Sequence, residues 1–456
     1  VKRGRMGMIN PHVFREYDIR GVAGKDLTDD FVYALGRALG TYFHHQEAER
    51  IAVGRDCRLS SPGFRDALVR GLVEAGRQVV DLGVVPTPLV YFATFTLDVH
   101  GAVQITGSHN PPEENGFKVC LGNSTLFGPE IQQIRVLMEA GHFVSGQGGV
   151  DEQGIIPSYQ AHVLGTLSAG SIERCVVVDS GNGTGGLVAP SLYREMGIDV
   201  VELNSEPDGR FPQHHPDPTV PENLRDLARA VEEKRADLGI AFDGDADRIG
   251  VVDAEGRILW GDQLLILFSR EILKERPGAM VIGEVKCSQL LFEDVARHRG
   301  QPLMWKVGHS LIKAKMREEG AALAGEMSGH LFFADRYFGY DDAIYAGARL
   351  LELLTRRQGT LSSLLADLPP MVNTPEIRVP CPDDRKFQVV KRLVEDFSRD
   401  HEVIDVDGAR VLFPDGWGLV RASNTQPVLV MRFEARSPEA LERIRMQVEA
   451  RLREIM

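Results

Sequence analysis

Three aspartates at alternate positions, in DGDADR at residues 243–248, constrain this chain more than any other feature of it. They follow the apolar run 238–242 and precede another, 249–252, so the loop is short and held at both ends. On extended backbone, a period of two turns Asp243, Asp245 and Asp247 to the same side. Two unit charges about 4 Å apart repel by about 4 kcal/mol at an effective dielectric of about 20, so a fold that gathers three must supply a counter-charge. A hard divalent cation, Mg²⁺ first, takes oxygen ligands and keeps water in its other positions. The register excludes an EF-hand: counting from Asp243, Arg248 stands where that loop needs glycine and Ala254 where it needs glutamate. Arg248, with its fixed fork of donors, reads as an anion contact beside the metal.

Around this loop, apolar runs alternate with amphipathic segments for most of the 456 residues. This is the α/β pattern, and the length predicts three or four domains. Ser61 and Pro62 read as N-cap and first residue of a helix whose Leu68, Leu72 and Ala75 share a face, with Gly76 ending it before a strand at 79–82. Asp262 opens another, carrying Leu264, Leu265, Phe268 and Ile272, before a strand at 281–282. A glycine-rich stretch at 144–154 and a proline-rich one at 368–375 read as linkers, and the turn at 253–256 as a third boundary. The predicted units are α/β domains at 1–153, 154–255 and 256–368, followed by an α+β domain at 369–456. The last comprises a strand at 376–379, a helix with Phe387, Val390, Val394 and Phe397, a hairpin at Asp407 and Gly408, two strands around Arg421, and a helix capped by Ser437 and Pro438.

The formal net charge of −13 argues against nucleic acid or an anionic membrane as partner, so an anionic ligand needs locally clustered basic groups. Five scattered cysteines without a CxxC pair favour free thiols in a reducing cytoplasm. No apolar run approaches the roughly 20 residues that span a bilayer, and the N-terminal VKRGRMGMINP lacks the apolar core of a signal peptide. A cytoplasmic enzyme is expected.

The strand at 101–105 runs into TGSHNPP, which presents Ser108 in a turn braked by two prolines. No GxSxG elbow occurs, and on extended backbone His109 points away from the serine, so phosphoryl transfer fits better than hydrolysis by a Ser/His pair. GEMSGH, at 325–330, offers Glu326, Ser328 and His330 in a pliable loop suited to a polyol such as a sugar. RASNTQP, at 421–427, gathers Arg421, Ser423, Asn424 and Thr425, the composition of a phosphate nest. Arg15 and Arg20 in FREYDIRG, Lys118 in NGFKV, Lys286 in GEVKCS and His309 at a helix start would together supply the positive field that the acidic chain otherwise lacks. One signal competes. GNGTGG at 181–186 satisfies GxGxxG after the strand at 175–178, and Glu202 follows about twenty residues on, as in an NAD-dependent oxidoreductase. Against it, Pro190 falls where the phosphate-binding helix should run, and Asp179 and Ser180 separate strand from glycine. His214 and His215, flanked by prolines, read as a rigid loop and not as a metal site.

Taken together and in this order, TGSHNPP, DGDADR, GEMSGH and RASNTQP resemble the four signature loops of the α-D-phosphohexomutase superfamily, and within it the bacterial phosphomannomutase/phosphoglucomutase branch. The resemblance runs from FREYDIRG to the closing helix. Phosphoglucosamine mutases, with SASHNP and RPSGTEP, are the nearer alternative; a sugar-phosphate-binding protein without catalysis is another. The resemblance implies three related α/β domains with mixed sheets and a mobile α+β domain around a central cleft. It implies that Ser108 is phosphorylated and that Asp243, Asp245 and Asp247 bind Mg²⁺ together with that phosphate. Arg20, Lys118 and His109 would complete the catalytic group. Glu326 and Ser328 would hold sugar hydroxyls, Arg421, Ser423, Asn424 and Thr425 the phosphate that does not react, with Tyr17, Arg248, Lys286, His309 and His330 completing the substrate site. It further implies hexose phosphate substrates, a hexose 1,6-bisphosphate activator, and a monomer or weak homodimer.

Overall fold

The computed structural model describes residues 9–168, 170–424 and 426–456 and builds them on four sheets. In the first, the parallel strands Gly149–Glu152, Gln78–Val84, Arg50–Arg55 and Gly101–Ile105 are extended by the antiparallel Glu114–Leu121 and Ile19–Val22, with Ser124–Thr125 on the side. In the second, Asp199–Leu203, Cys175–Asp179 and Leu238–Phe242 are parallel, and Ile249–Asp253 and Ile258–Leu259 antiparallel. The third has parallel Gln301–Trp305, Met280–Glu284 and Leu323–Gly325, then antiparallel Leu331–Phe333. Each mixed sheet thus uses one device: its last parallel strand turns back as a hairpin. That turn lies at the carboxyl end of a parallel strand, where α/β sheets expose their ligand loops. TGSHNPP, DGDADR and GEMSGH are these three turns. RASNTQP is the corresponding turn in the all-antiparallel fourth sheet, between Gly416–Ala422 and Val428–Ala435.

The apolar runs become strands because both sheet faces are covered, which leaves every residue of Leu238–Phe242 and Ile249–Asp253 buried. One continuous core joins the first three units, and the helix Ala343–Thr355 is buried along its whole length within it. The fourth unit has its own core, with Val389, Leu393 and Phe397 facing Ile444, Val448 and Leu452.

The structure corrects several local expectations. Phe387 is exposed, because the buried stripe of Asp383–Phe397 runs through Lys386, Val389, Leu393 and Phe397. The helix Ser61–Glu74 is preceded by Ser60, so Ser61 is already its first residue. Neither linker is free of structure: Gly149–Glu152 pairs with Gln78–Val84, and Val372–Asn373 with Val428–Ala435. The turn at 253–256 forms the tip of a hairpin in which Ile258–Leu259 pairs back on Ile249–Asp253.

Candidate active site

DGDADR is a tight turn and not extended strand. Asp243 caps it, its Oδ1 accepting from the Asp247 and Arg248 amides at 3.1 Å each, and Ala246 adopts a left-handed φ of 57°. The turn, not strand alternation, brings the three carboxylates within 4.8 Å of one another, all fully buried. The counter-charge present is Lys118, which donates to Asp245 Oδ2 at 2.8 Å and also to Asp247 Oδ2. Burial pulls its ammonium down, but the two carboxylates more than offset this and leave its pKa above the ordinary lysine value. Burial, with Asp245 and Asp247 alongside, pushes Asp243 well above the carboxylate range. Asp245 Oδ1 and Asp247 Oδ1 are buried without a hydrogen-bond partner among the described residues. Two orphaned carboxylate oxygens beside a third carboxylate fit a hard divalent cation.

Ser108 joins this cluster from the first unit. Its hydroxyl donates to Asp243 Oδ2 at 2.8 Å, and its own φ is left-handed at 49°. That backbone turns His109 back, so its Nδ1 lies 3.1 Å from Ser108 Oγ, contrary to the extended geometry expected. No triad results. The ring nitrogen facing the serine is also the one 4.0 Å from Asp243, whereas a triad histidine meets acid and serine with opposite nitrogens. Burial, then Arg248 and Arg20, holds the His109 imidazole well below its usual pKa. Arg20 donates to Asn110 Oδ1 and Asp18 Oδ2, both at 2.6 Å.

The third unit supplies the opposite wall. Arg248 Nε donates to His330 Nε2 at 3.0 Å, so the His330 proton sits on Nδ1, 3.0 Å from the Asp247 carbonyl. Asp247, His330 and Asp341 also cluster, but a protonated Nδ1 offers a cation no lone pair, and this second group reads as a hydrogen-bonded network. His309 stacks on His330 at 5.5 Å, with Asp341 3.4 Å from its Nδ1. Glu326 accepts from the Gly308 amide at 2.6 Å and from the Ser328 hydroxyl at 2.9 Å.

The fourth unit closes the ring. Asn424 donates to Tyr17 Oη at 2.7 Å, and Tyr17 donates to the Val307 carbonyl at 2.9 Å, so three units meet at one phenol. Arg421 is held by Asp407 at 3.1 Å and Lys286 by Glu376 at 2.8 Å. Ser423 lies in the same turn, accepting from the Gln426 amide at 3.2 Å; Thr425 lies outside the described residues.

The glycine-rich GNGTGG does not open onto a ligand. A Cβ on Gly183 would meet the Gly244 carbonyl oxygen at 2.6 Å, and the Thr184 amide donates to that oxygen at 3.0 Å. The glycines let this loop press against DGDADR, filling the space a pyrophosphate would need, and Glu202 pairs with Arg194 at 2.6 Å. His214 braces the same loop through Asp179 at 2.9 Å. Sequence reasoning missed the groups that hold the site from behind: Asp56, Arg58, Asp341, Glu376 and Asp407. All but Glu376 and Asp407 follow or precede a buried element directly, a signal that was legible.

Comparison with known proteins follows the same order of units. Family models described as phosphoglucomutase/phosphomannomutase match at residues 11–144 (alpha/beta/alpha domain I), 158–256 (domain II), 260–372 (domain III) and 376–451 (C-terminal domain). A Pseudomonas aeruginosa protein named phosphomannomutase/phosphoglucomutase is 47% identical over 95% of this chain and 94% of its own. A phosphoglucomutase of Neisseria gonorrhoeae is 46% identical over 98% and 97%. The crystal structure of a phosphoglucomutase/phosphomannomutase family protein from Burkholderia thailandensis matches with a TM-score of 0.93 at 44% identity, covering 98% of each chain.

Proposed function

The chain belongs to the phosphoglucomutase/phosphomannomutase family, and on that premise we propose that Ser108 carries a phosphoryl group reversibly between O6 and O1 of mannose and glucose phosphates. The observation that carries this reading is the placement of a strained serine, buried and not presented at the surface, 2.8 Å from one of three converging carboxylates that belong to a different unit. Asp243, Asp245 and Asp247 would hold Mg²⁺, which when bound supplies positive charge to the oxygens of the transferring group.

The protein's own groups divide the work. Arg20, Lys118 and Arg248 surround Ser108 with fixed cations, which favours charge spread over the phosphoryl oxygens. His109 lies within hydrogen-bond reach of the same hydroxyl. Glu326 and Ser328 offer an acceptor and a hydroxyl to the sugar, with His309, His330 and Lys286 beside them. Arg421, Ser423 and Asn424, with Thr425, receive the phosphate that is not reacting, on a turn of a different sheet from that of Ser108. A bisphosphorylated sugar then turns end for end, and the same compound added from solution serves as activator by reloading Ser108. Phosphate at the Arg421 turn would replace Asp407 and Glu376 as partner of Arg421 and Lys286, which lets the fourth unit, joined through 368–371, open while the sugar turns. The reading includes four functional units, a monomer or weak homodimer, and a cytoplasmic setting; no helix among the described residues is long and apolar enough to cross a membrane.

Phosphoglucosamine mutase is the less supported alternative, since the relatives at 46–47% identity carry mannose and glucose names. The test is steady-state turnover on mannose 1-phosphate, glucose 1-phosphate and glucosamine 1-phosphate, by wild type and by Ser108→Ala. The expected result is turnover of the first two, lost in the variant while substrate binding persists. Turnover of glucosamine 1-phosphate alone would overturn the assignment of substrate, and an active Ser108→Ala would overturn the role of Ser108.

A further inference from the structure

Arg58 is fully buried, and the four N–H groups of its two Nη atoms converge on the serine loop. Its Nη2 donates to the carbonyls of Ser108 at 2.7 Å and Asn110 at 2.6 Å, and its Nη1 to those of Pro111 at 2.5 Å and Glu114 at 2.8 Å. Its Nε donates to Asp56 Oδ2 at 3.1 Å. A guanidinium has five N–H donors, and here all five are used. Arg58 therefore has nothing left with which to bind a phosphate, and its charge serves the loop alone.

Asp56 grips the same loop with the opposite polarity. Its Oδ2 accepts from the Gly107 amide at 3.1 Å, and its Oδ1 from the Ser61 hydroxyl at 2.5 Å. Gly107 has to be glycine because a Cβ there would run into the Arg58 guanidinium, 2.5 Å from Nε. The second unit seals the pair. The Phe211 ring covers the guanidinium at 5.2 Å, and a Cβ on Gly209 would fall 2.6 Å from Arg58 Cα.

We infer that Arg58 is a positioning residue for the phosphorylated serine: by turning the carbonyls of residues 108, 110, 111 and 114 inward, it holds Ser108 in its left-handed conformation and so aims Oγ at Asp243. A left-handed non-glycine residue persists only where its surroundings over-determine it, and four carbonyl contacts from one rigid fork do so. Lysine can retain the charge and the Asp56 contact, but its three donors on a flexible stem cannot reproduce a planar fork. The inference rests on Ser108 being the phosphoryl carrier.

The test uses the full chain with Arg58→Lys and, should that variant fail to fold, Asp56→Asn, which weakens the same clamp. Since misplacing a reacting atom by about 1 Å costs roughly 100-fold in rate, kcat on glucose 1-phosphate should fall about 100-fold in Arg58→Lys and about tenfold in Asp56→Asn. KM should stay within about threefold, because the turns that bind sugar and phosphate are untouched. Single-turnover discharge of the preloaded phosphoenzyme to glucose 1-phosphate should slow by the same factor as kcat. A folded variant with wild-type kcat, or one whose KM rises as much as its kcat falls, would overturn the inference. Mapping of the phosphoryl group on the wild type separates this outcome from failure of the underlying reading: if Ser108 is loaded and Arg58→Lys still turns over normally, only the role of Arg58 is lost.

Discussion

Replacing Lys118 by Met removes the one cation that, among the described residues, pairs with both Asp245 and Asp247, while keeping most of the apolar stem. The three carboxylates lie within 4.8 Å of each other. At an effective dielectric of about 20, each ionised pair at that separation repels by about 3 kcal/mol, and Asp243 is already pushed up by its burial and by Asp245 and Asp247, whereas Lys118 at 2.8 Å from Asp245 returns about 6 kcal/mol from that contact alone. Without lysine, Asp245 and Asp247 are left buried beside each other with no counter-charge, so something else must enter. The cheapest relief in metal-free buffer is one proton, which at pH 7 costs about 4 kcal/mol for a carboxylate of ordinary pKa near 3.9, and at pH 5 about 1.5 kcal/mol. That cost caps the destabilisation. The sign follows from linkage: the folded variant holds a proton that the unfolded chain releases, so its stability is greatest below the unfolded pKa and falls as pH rises. Urea unfolding of Lys118→Met in EDTA should therefore show a loss of about 4 kcal/mol at pH 7 and about 1.5 kcal/mol at pH 5, with millimolar Mg²⁺ restoring most of it at pH 7. An equal loss at both pH values, unaffected by Mg²⁺, would refute the reasoning, since Lys118 would then matter for packing and not as a counter-charge.

Two further outcomes follow from single contacts. Glu326→Gln keeps shape but removes the charge that Lys286, the Gly308 amide and Arg248 stabilise against burial, which holds Glu326 below its usual range. Losing one charge-assisted contact to a sugar hydroxyl should cost about 2 kcal/mol in kcat/KM, roughly 30-fold, and unchanged kcat/KM would remove Glu326 from the substrate site. Asp342, buried under Tyr159 and Tyr337, is pushed by burial from 3.8 up to about 6. Its raised pKa stabilises the fold below the unfolded value, and about 3 kcal/mol of that is lost as pH climbs through 6, so Asp342→Asn should gain on wild type between pH 4 and pH 7 in urea unfolding. A constant difference across that range would show that Asp342 does not titrate there.

The sequence carried the four candidate turns because each interrupts a buried apolar strand with polar residues, a contrast that survives without coordinates. DGDADR shows where that reading stops. Its composition announces three carboxylates in need of a cation, but the alternation that suggests extended backbone gives way to a turn made by the Asp243 cap and the left-handed Ala246. His109 failed for the same reason, since one left-handed serine reverses the direction of its neighbour. Turn geometry depends on tertiary grips such as those of Asp56 and Arg58, which are far from the turn in sequence. GRDCRLSS did hold a clue: an acid and a base directly after the buried strand Arg50–Arg55, the placement that marked the other loops. GNGTGG matched a dinucleotide pattern because its glycines permit a close approach, and what approaches them, the Gly244 carbonyl, lies in the turn after a strand two places on in the chain. The carboxylate that neutralises Lys286 was invisible, because Glu376 meets it only when the fourth unit folds against the third, and Asp407 meets Arg421 only across the turn of the fourth unit's own sheet.

The central claim is that Ser108 carries the phosphoryl group. Intact mass of the wild-type chain after incubation with glucose 1,6-bisphosphate and Mg²⁺, followed by peptide mapping, tests it most directly. The account predicts one added phosphoryl group, on the peptide containing TGSHNPP and at Ser108, which leaves the protein when glucose 1-phosphate is added. A chain that stays unphosphorylated, or one loaded at another residue and still turning over, would contradict it.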